Sequence, residues 1–291
     1  MESKNILITG ASGNIGTEII RGLKEINSPH KIFTGDFNIE KSKKILSGHE
    51  NLQFRRLDFT NPSTFDKALE NIDIVFLLRP PQLADVPKYF APFTAAMKQN
   101  GISKIVFLSV QGVENQRFIP HHKLEKLIVD NGFEYAFLRP GYFMQNLATT
   151  LVQEIRSENK IFIPSGNLKF NWVDARDIGM VGAHIMNEFE KFKNKPYEIT
   201  GPEFVGFEKV AQILSRVLGK TIQYESPSLM KFFRSKRKLG ISKPMIFVMI
   251  MLHYLPRLGK NLPRLTNTVK EITGKQPSRI EEFIEREKGK F

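Results

Sequence analysis

Gly10, Gly13 and Gly16 recur at intervals of three in "NILITGASGNIG" (residues 5–16), directly after a short apolar run. Between a strand and a helix, such spacing serves a phosphate. The first glycine permits a tight bend, the second leaves room for backbone amides to approach a pyrophosphate, and the third lets the helix pack closely. The helix start then supplies unbonded N–H groups and a partial positive charge. Ser12, Asn14 and Ile15 share the turn and are expected beside the anion. No Lys-Ser or Lys-Thr follows Gly16, so a P-loop hydrolase lacks both its lysine and its metal-binding hydroxyl, and a dinucleotide is the better ligand.

Further positions at strand ends suit the same ligand. Asp36 stands 26 residues after Gly10, where a carboxylate accepts hydrogen bonds from a ribose 2′-hydroxyl and repels a 2′-phosphate. The expected cofactor is therefore NAD(P), with NAD(H) favoured over NADP(H). Lys41, Lys43 and Lys44 follow closely enough to reach a 2′-phosphate, or they line an exposed helix face. Asp58, followed by Phe59, can accept from an adenine amino group or cap its own turn. "LLRPP" (77–81) places Leu78 and Arg79 beside the dinucleotide, with Arg79 as a plain surface cation the alternative. Pro140, Tyr142 and Phe143 in "RPGYFMQN" (139–146) follow another strand end, where a ligand crevice is expected; an aromatic core cluster is the competing reading.

The elements that position these residues are legible as alternating apolar segments. "NILITG", "HKIFTGD", "NLQFRRLDF", "DIVFLL", "KIVFLS" and "EYAFLRP" read as strands, with helices over about 15–26, 62–70, 87–99 and 121–131 between them. That alternation argues for an α/β fold with a doubly wound parallel sheet of the Rossmann type. Beyond 145 the rhythm loosens into short strands and helices over about 146–157, 207–218, 228–238, 243–256, 263–273 and 278–288. The expectation is a nucleotide-binding domain over 1–145 and a smaller α+β substrate lobe over 146–291, packed on it and not independent.

Composition narrows the classes. The 291 residues are 41% hydrophobic, enough for a sizeable core. The absence of cysteine removes disulfides, thiolate metal sites and a cysteine nucleophile, and agrees with a cytoplasmic location, as does the lack of a secretory leader. The apolar run "PMIFVMIMLHYL" (244–255) is shorter than the roughly twenty residues of a bilayer span and reads as a buried or lid helix. A net charge of +13 is spread along the chain, densest at "KSKK" (41–44) and "KFFRSKRK" (231–238), and reads as a solvated basic surface. A nucleic-acid partner is not expected, and no metal site is: His121 and His122 are adjacent and no spacing gathers three ligands. No Gly-x-Ser-x-Gly elbow supports a hydrolase.

The chain resembles the NmrA-like branch of the atypical short-chain dehydrogenase/reductase superfamily. The likeness rests on "TGASGNIG" (9–16), "LDFT" (57–60), "VFLLRPP" (75–81), "KIVFLSVQGVEN" (104–115), "HHKLEKLIVDNGFEYAFLRPGYFMQNL" (121–147), "WVDARDIG" (172–179) and "VKEITGKQPSRIEEFIERE" (269–287). It implies a C-terminal substrate lobe and similarity to type 2 quinone oxidoreductases and to isoflavone and phenylcoumaran reductases. Members reduce quinones, isoflavone-like compounds or benzylic ethers with NAD(P)H; others bind dinucleotide and regulate transcription through protein partners without turnover. The resemblance also sets Ser109 at the serine position of ordinary short-chain dehydrogenases, but Arg117 and His121 stand where their Tyr and Lys would fall. A histidine near pKa 6.5 can donate a proton to a quinone oxygen, so His121, with Ser109, is the catalytic candidate. The expected function is NAD(P)H-dependent reduction of a small quinone-like or aromatic acceptor. The alternative is a redox-sensing regulator acting through a protein partner, and the oligomeric state stays open.

Overall fold

A computed structural model describes residues 2–259 and 263–291. It divides the chain into two compact units: residues 1–141, 175–200 and 266–276 form the first, and 142–174, 201–265 and 277–291 the second. The first crossing, at 141–142, lies close to the expected cut after 145. The chain then returns to the first unit twice, which a single cut does not describe.

In the first unit, β1 (Asn5–Thr9), α1 (Asn14–Glu25), β2 (Lys31–Asp36), α2 (Ile39–Ile45), β3 (Leu52–Arg56), α3 (Phe65–Leu69), β4 (Ile74–Leu77), α4 (Val86–Gln99), β5 (Lys104–Leu108), α5 (Pro120–Asp130) and β6 (Glu134–Pro140) alternate as the apolar pattern requires. The second unit opens with β7 (Tyr142–Phe143), α6 (Gln145–Ala148), α7 (Val152–Glu158), β8 (Lys160–Phe162) and β9 (Lys169–Val173). Then α8 (Ala175–Asn187), α9 (Phe189–Phe192) and β10 (Lys195–Ile199) rejoin the first unit. β11 (Phe204–Gly206), α10 (Phe207–Leu218), β12 (Gln223–Glu225), α11 (Leu229–Lys238) and α12 (Lys243–His253) belong to the second unit, α13 (Thr268–Thr273) to the first and α14 (Ile280–Glu287) to the second.

The main sheet has seven parallel strands in the order β3-β2-β1-β4-β5-β6-β10. Chain direction across it reverses between β1 and β4, the switch point at which doubly wound sheets bind ligands. Strands β1, β4 and β5 are apolar and buried almost throughout, as strands covered on both faces must be. The seventh strand, from "KPYEI", comes from the stretch assigned by sequence to the lobe; β10 runs beside β6 from Lys195–Ala136 to Ile199–Pro140. α8 can lie against α1 because both carry glycine at the contact. A Cβ on Gly179 would fall 2.5 Å from the Glu18 carbonyl carbon, and one on Gly22 would fall 2.9 Å from the Ala183 Cβ.

The second unit has its own core around Trp172, Phe207, Phe232 and Phe283, all buried. Trp172 donates its indole N–H to the Val205 carbonyl at 2.9 Å, and buried Asp174 accepts from Gln145 at 2.8 Å and Arg286 at 2.6 Å. Two readings of this half change. The helix expected over 146–157 is broken at residues 149–151 into α6 and α7, and the basic run "KFFRSKRK" is not wholly solvated. Lys236 is fully buried and paired with equally buried Glu154.

Breaking a buried pair strands the remaining charge, whereas replacing both partners with apolar groups removes the desolvation cost with the attraction. Lys236→Met should therefore cost about 3–5 kcal/mol of unfolding free energy, and Lys236→Met combined with Glu154→Leu should recover most of it. Urea denaturation of the single and double variants measures both.

Candidate functional site

The polar groups that could act on a ligand gather at the carboxyl ends of the parallel strands. After β1 the chain turns through Gly10, whose φ of +63° is a left-handed value that glycine takes without strain. The Gly10 amide donates to the Gly35 carbonyl at 2.9 Å, and its oxygen accepts from the Gly13 amide at 3.0 Å. α1 begins at Asn14 with Gly13 as its N-cap, and no side chain caps it; its first turn carries no acidic residue. The leading N–H groups of α1, from Asn14, Ile15 and Gly16, thus face outward with the positive end of the helix dipole and no side chain in front of them.

Side chains are excluded from this cradle by contact. A Cβ on Gly16 would lie 2.5 Å from the Gly10 oxygen and 2.6 Å from the Ala11 Cα, and one on Gly13 would lie 3.2 Å from the Gly10 oxygen. Gly16 is thus demanded by the loop itself, which the helix start approaches closely. Gly13 and Asn14 are exposed, while Ile15 is buried and offers a ligand only its backbone.

Asp36 closes one side. Its carboxylate accepts from the Ser12 amide at 3.3 Å and the Ser12 hydroxyl at 3.2 Å, so the two predicted binding residues are joined to each other. Burial pushes the Asp36 carboxyl above the usual range, against the opposing pull of the Ser42 and Ser12 hydroxyls. Asp58 makes the turn contact foreseen as its alternative, accepting from the Thr60 amide at 2.9 Å and hydroxyl at 2.6 Å. The Phe59 ring is core, 5.0 Å from both Phe90 and Phe93, and leaves only its backbone for a ligand.

At the other side of the switch point the Leu78 amide donates to Thr9 Oγ1 at 2.9 Å, and Leu78 packs beneath Gly10. Arg79 is not a surface cation: one Nη1 donates to the carbonyls of Pro80, Pro81 and Leu83, and its buried Nε has no protein partner. Ser109 follows β5, buried, with its amide bonded to the Leu138 carbonyl at 2.7 Å and its hydroxyl unpartnered. The Pro140 carbonyl accepts from the Gln111 amide at 3.0 Å. His121 opens α5 with its ring 6.2 Å from Phe107, and burial with the Arg79 charge holds it down to about 3. At neutral pH it is an uncharged imidazole, so the premise of titration near 6.5 does not hold.

Tyr142 and Phe143 lie in the second unit. Tyr142 packs among Trp172 (4.7 Å), Phe170 (5.0 Å) and His253 (5.4 Å), the aromatic cluster foreseen as the competing reading. His253 Nδ1 lies 2.6 Å from the Met249 carbonyl, which can only accept, so Nδ1 carries the proton and Nε2 receives the Tyr142 hydroxyl at 2.8 Å. Burial holds His253 at about 4 and pushes the Tyr142 phenol well above its usual range. Sequence reasoning missed His253; its only signal was a histidine in an otherwise apolar helix. Among the described residues no three His, Asp or Glu side chains are placed to hold a metal.

A model of the NmrA-like family matches residues 2–254. The chain belongs to the NmrA-like family. Over 279 residues it is 30% identical to Prestalk A differentiation protein A of Dictyostelium discoideum, spanning 96% of this chain and 91% of that protein. It is 28% identical over 284 residues to the NAD(P)H azoreductase of Xenophilus azovorans, spanning 96% of each. The triphenylmethane reductase of Citrobacter sp., solved in complex with NADP(H), superposes with a TM-score of 0.83 at 20% identity, over 97% of this chain and 99% of that one. The shared fold is the doubly wound α/β architecture read from the apolar alternation. Of the NmrA-like blocks read in the sequence, the glycine turn and the ends of β4, β5 and β6 meet in the first unit, while Tyr142 and Phe143 serve the second.

Of the histidines held below their ordinary value, His121 and His253 are shifted furthest and set a pH dependence of stability. Their folded values, about 3 and about 4, lie below the ~6.5 of the unfolded chain, so in acid the unfolded state binds protons that the folded state refuses. Stability is full above about pH 6.5 and falls toward pH 4, by at most ~1.4 kcal/mol per pH unit for each histidine. Urea midpoints between pH 7.5 and 4.5 should show this decline, and His253→Asn should flatten it.

Proposed function

We propose that this protein binds NAD(P)H at the glycine turn and reduces a small quinone-like or aromatic acceptor. The observation that carries the reading is the uncapped, acid-free start of α1 at the switch point, in a cradle that a Cβ at Gly13 or Gly16 would fill. The amides of Asn14, Ile15 and Gly16 hold the diphosphate, as helix starts hold anions. Asp36 accepts from the ribose hydroxyls, and its carboxylate, backed by Ser12, favours NAD(H) by opposing a 2′-phosphate.

When bound, the coenzyme supplies a hydride. The unpartnered Ser109 hydroxyl and buried Arg79 Nε are polar groups that a ligand can satisfy, since a buried donor without a partner costs about 1–3 kcal/mol. Ser109 then orients the acceptor through its oxygen. His121, being neutral, polarises that oxygen by hydrogen bonding, and the proton that completes reduction comes from solvent. This chemistry suits acceptors whose reduced form is a weak base, such as quinones, better than ketones that need a strong local acid. The names of the azoreductase and triphenylmethane reductase relatives support aromatic acceptors.

A second reading, a dinucleotide-sensing regulator with a protein partner, is favoured by the missing Tyr-x-x-x-Lys pair and the uncharged His121. NADH and NADPH consumption over a panel of quinones and azo dyes decides: saturable coenzyme binding without turnover would favour the regulator.

Two substitutions test the site by nicotinamide fluorescence. Gly16→Ala should weaken coenzyme binding at least about tenfold, while Gly48→Ala, with nothing within 4 Å of its Cβ, should leave it unchanged. Asp36→Ala should improve NADPH binding relative to NADH; an unchanged ratio would remove Asp36 from the ribose.

A further inference from the structure

One face of the second unit is both apolar and uniformly basic. Of the twelve large hydrophobic side chains exposed among the described residues, eight fall between Met230 and Leu265. α12 accounts for most of them: Phe247 is 60% exposed, Leu252 50% and Met251 48%, with Met245 and Val248 beside them. The opposite side of the same helix, Ile246, Met249 and His253, is buried. α12 is therefore apolar on both sides with only one of them used by the core, so of the two readings of its sequence, a buried or a lid helix, full burial does not hold. Phe247 touches Phe233 of α11 at 5.9 Å between ring centroids, which joins the two helices into one surface.

The charge around this surface has one sign. From Ser226 to Leu265, a stretch that belongs to the second unit, the sequence holds nine Lys or Arg and no Asp or Glu, one of them, Lys236, turned inward onto Glu154. On α11, exposed Met230 sits among Lys231, Arg234 and Lys238, which line a shallow groove of about 380 Å³ with Ser228 and Ser235. The adjacent acid, Glu225, is held by Lys231 and Lys160. Arg234, Lys238 and Lys243 form no ion pair among the described residues.

We propose that the α11–α12 face docks this protein on anionic lipid bilayers. Apolar side chains on α12 enter the boundary between headgroups and acyl chains, and the basic side chains meet lipid phosphates, the pattern of helices that lie in a membrane interface. No described helix is long and apolar enough to cross a bilayer, so the contact is peripheral. Two other occupants fit less well. A second copy of the face would set like charges against each other with no carboxylate between them. A single-stranded nucleic acid stacks on aromatic platforms, whereas this surface is mostly aliphatic.

Co-sedimentation of the full chain with large vesicles tests the docking. Binding should be strong to phosphatidylcholine containing phosphatidylglycerol, weak to phosphatidylcholine alone, and reduced by high salt. Arg234→Gln with Lys238→Gln should weaken it about 25-fold, fivefold per charge, from ~1 kcal/mol for each basic side chain at an anionic surface. Phe247→Ser with Met251→Ser, both exposed and so expected to leave thermal unfolding unchanged, should weaken it at least tenfold. Three results would overturn the proposal: no sedimentation with anionic vesicles at low salt; vesicle binding insensitive to the Phe247 and Met251 changes; or a dimer abolished by those changes in a chain that ignores vesicles. Duplex or single-stranded DNA binding that the charge variant loses and the apolar variant keeps, without vesicle binding, would assign the face to nucleic acid instead.

Discussion

The approach of α1 to the loop that precedes it is the constraint from which the first unit is arranged. With 2.5 Å between the Gly10 oxygen and the position a Gly16 Cβ would take, any side chain at 16 would push the helix off the end of β1. The helix start, held that close, needs no side-chain cap, and its leading amides are left for an anion. Thr9 carries the constraint across the sheet. By accepting from the Leu78 amide, it ties the end of β1 to the end of β4 at the place where strand order reverses. Gly179 and Gly22 continue the pattern, since α8 rests on α1 with Gly179 against Glu18 and Gly22 against Ala183, where a second Cβ would not fit. Three glycines, Gly16, Gly22 and Gly179, each required by a backbone or side-chain atom within 3 Å, thus define the geometry of one helix.

Burial, more than charge pairing, then sets the chemistry of the titratable groups. His121 and His253 are both held uncharged by lost solvation, the half-buried His121 beside the Arg79 guanidinium and the buried His253 between a carbonyl and a phenol. Such imidazoles can bond hydrogen without carrying charge, which limits what they contribute to proton transfer; in His253 the two bonds also fix tautomer and orientation. Asp36 shows the same effect with the opposite sign. Its two Ser12 bonds do not fully compensate for lost solvent, and a ribose hydroxyl would add a donor that the carboxylate lacks.

Local pattern made the first six strands and the glycine turn legible, because each is a short apolar run bounded by turn residues. β10 was not legible as part of that sheet: "KPYEI" has a proline, two charges and an exposed start, the composition of an edge strand, and nothing local says which sheet it edges. The single cut after 145 does not describe the chain's returns for the same reason, since they are made over long sequence separations, β10 beside β6 and α8 on α1 in the first and α13 against α8 in the second. Side-chain partnerships at distance were equally hidden. Lys236 is indistinguishable in "KFFRSKRK" from its solvated neighbours, and only the fold brings Glu154 to it, 82 residues away. Tyr142 and His253 are separated by 111 residues, so a tyrosine placed by sequence at a ligand crevice or in an aromatic cluster bonds a core histidine that no local signal foretells.

The apolar run that forms α12 exposes a limit of periodicity itself. A helix reveals its buried side by alternation between polar and apolar residues, and that signal vanishes when both sides are apolar. Such a helix is usually read as buried because water is the assumed solvent for the outer side. Here Phe247, Val248, Met251 and Leu252 face outward while Ile246 and Met249 pack inward, so the inner side follows the rule and the outer one breaks it. The exposed side is accompanied, from Ser226 to Leu265, by nine cations without an acid, of which Lys236 is turned inward, whereas a surface built only for solubility mixes both signs. Apolar exposure and one-signed charge are each tolerable alone; their coincidence on two adjoining helices is accounted for by a single environment that is apolar within and negative at its edge.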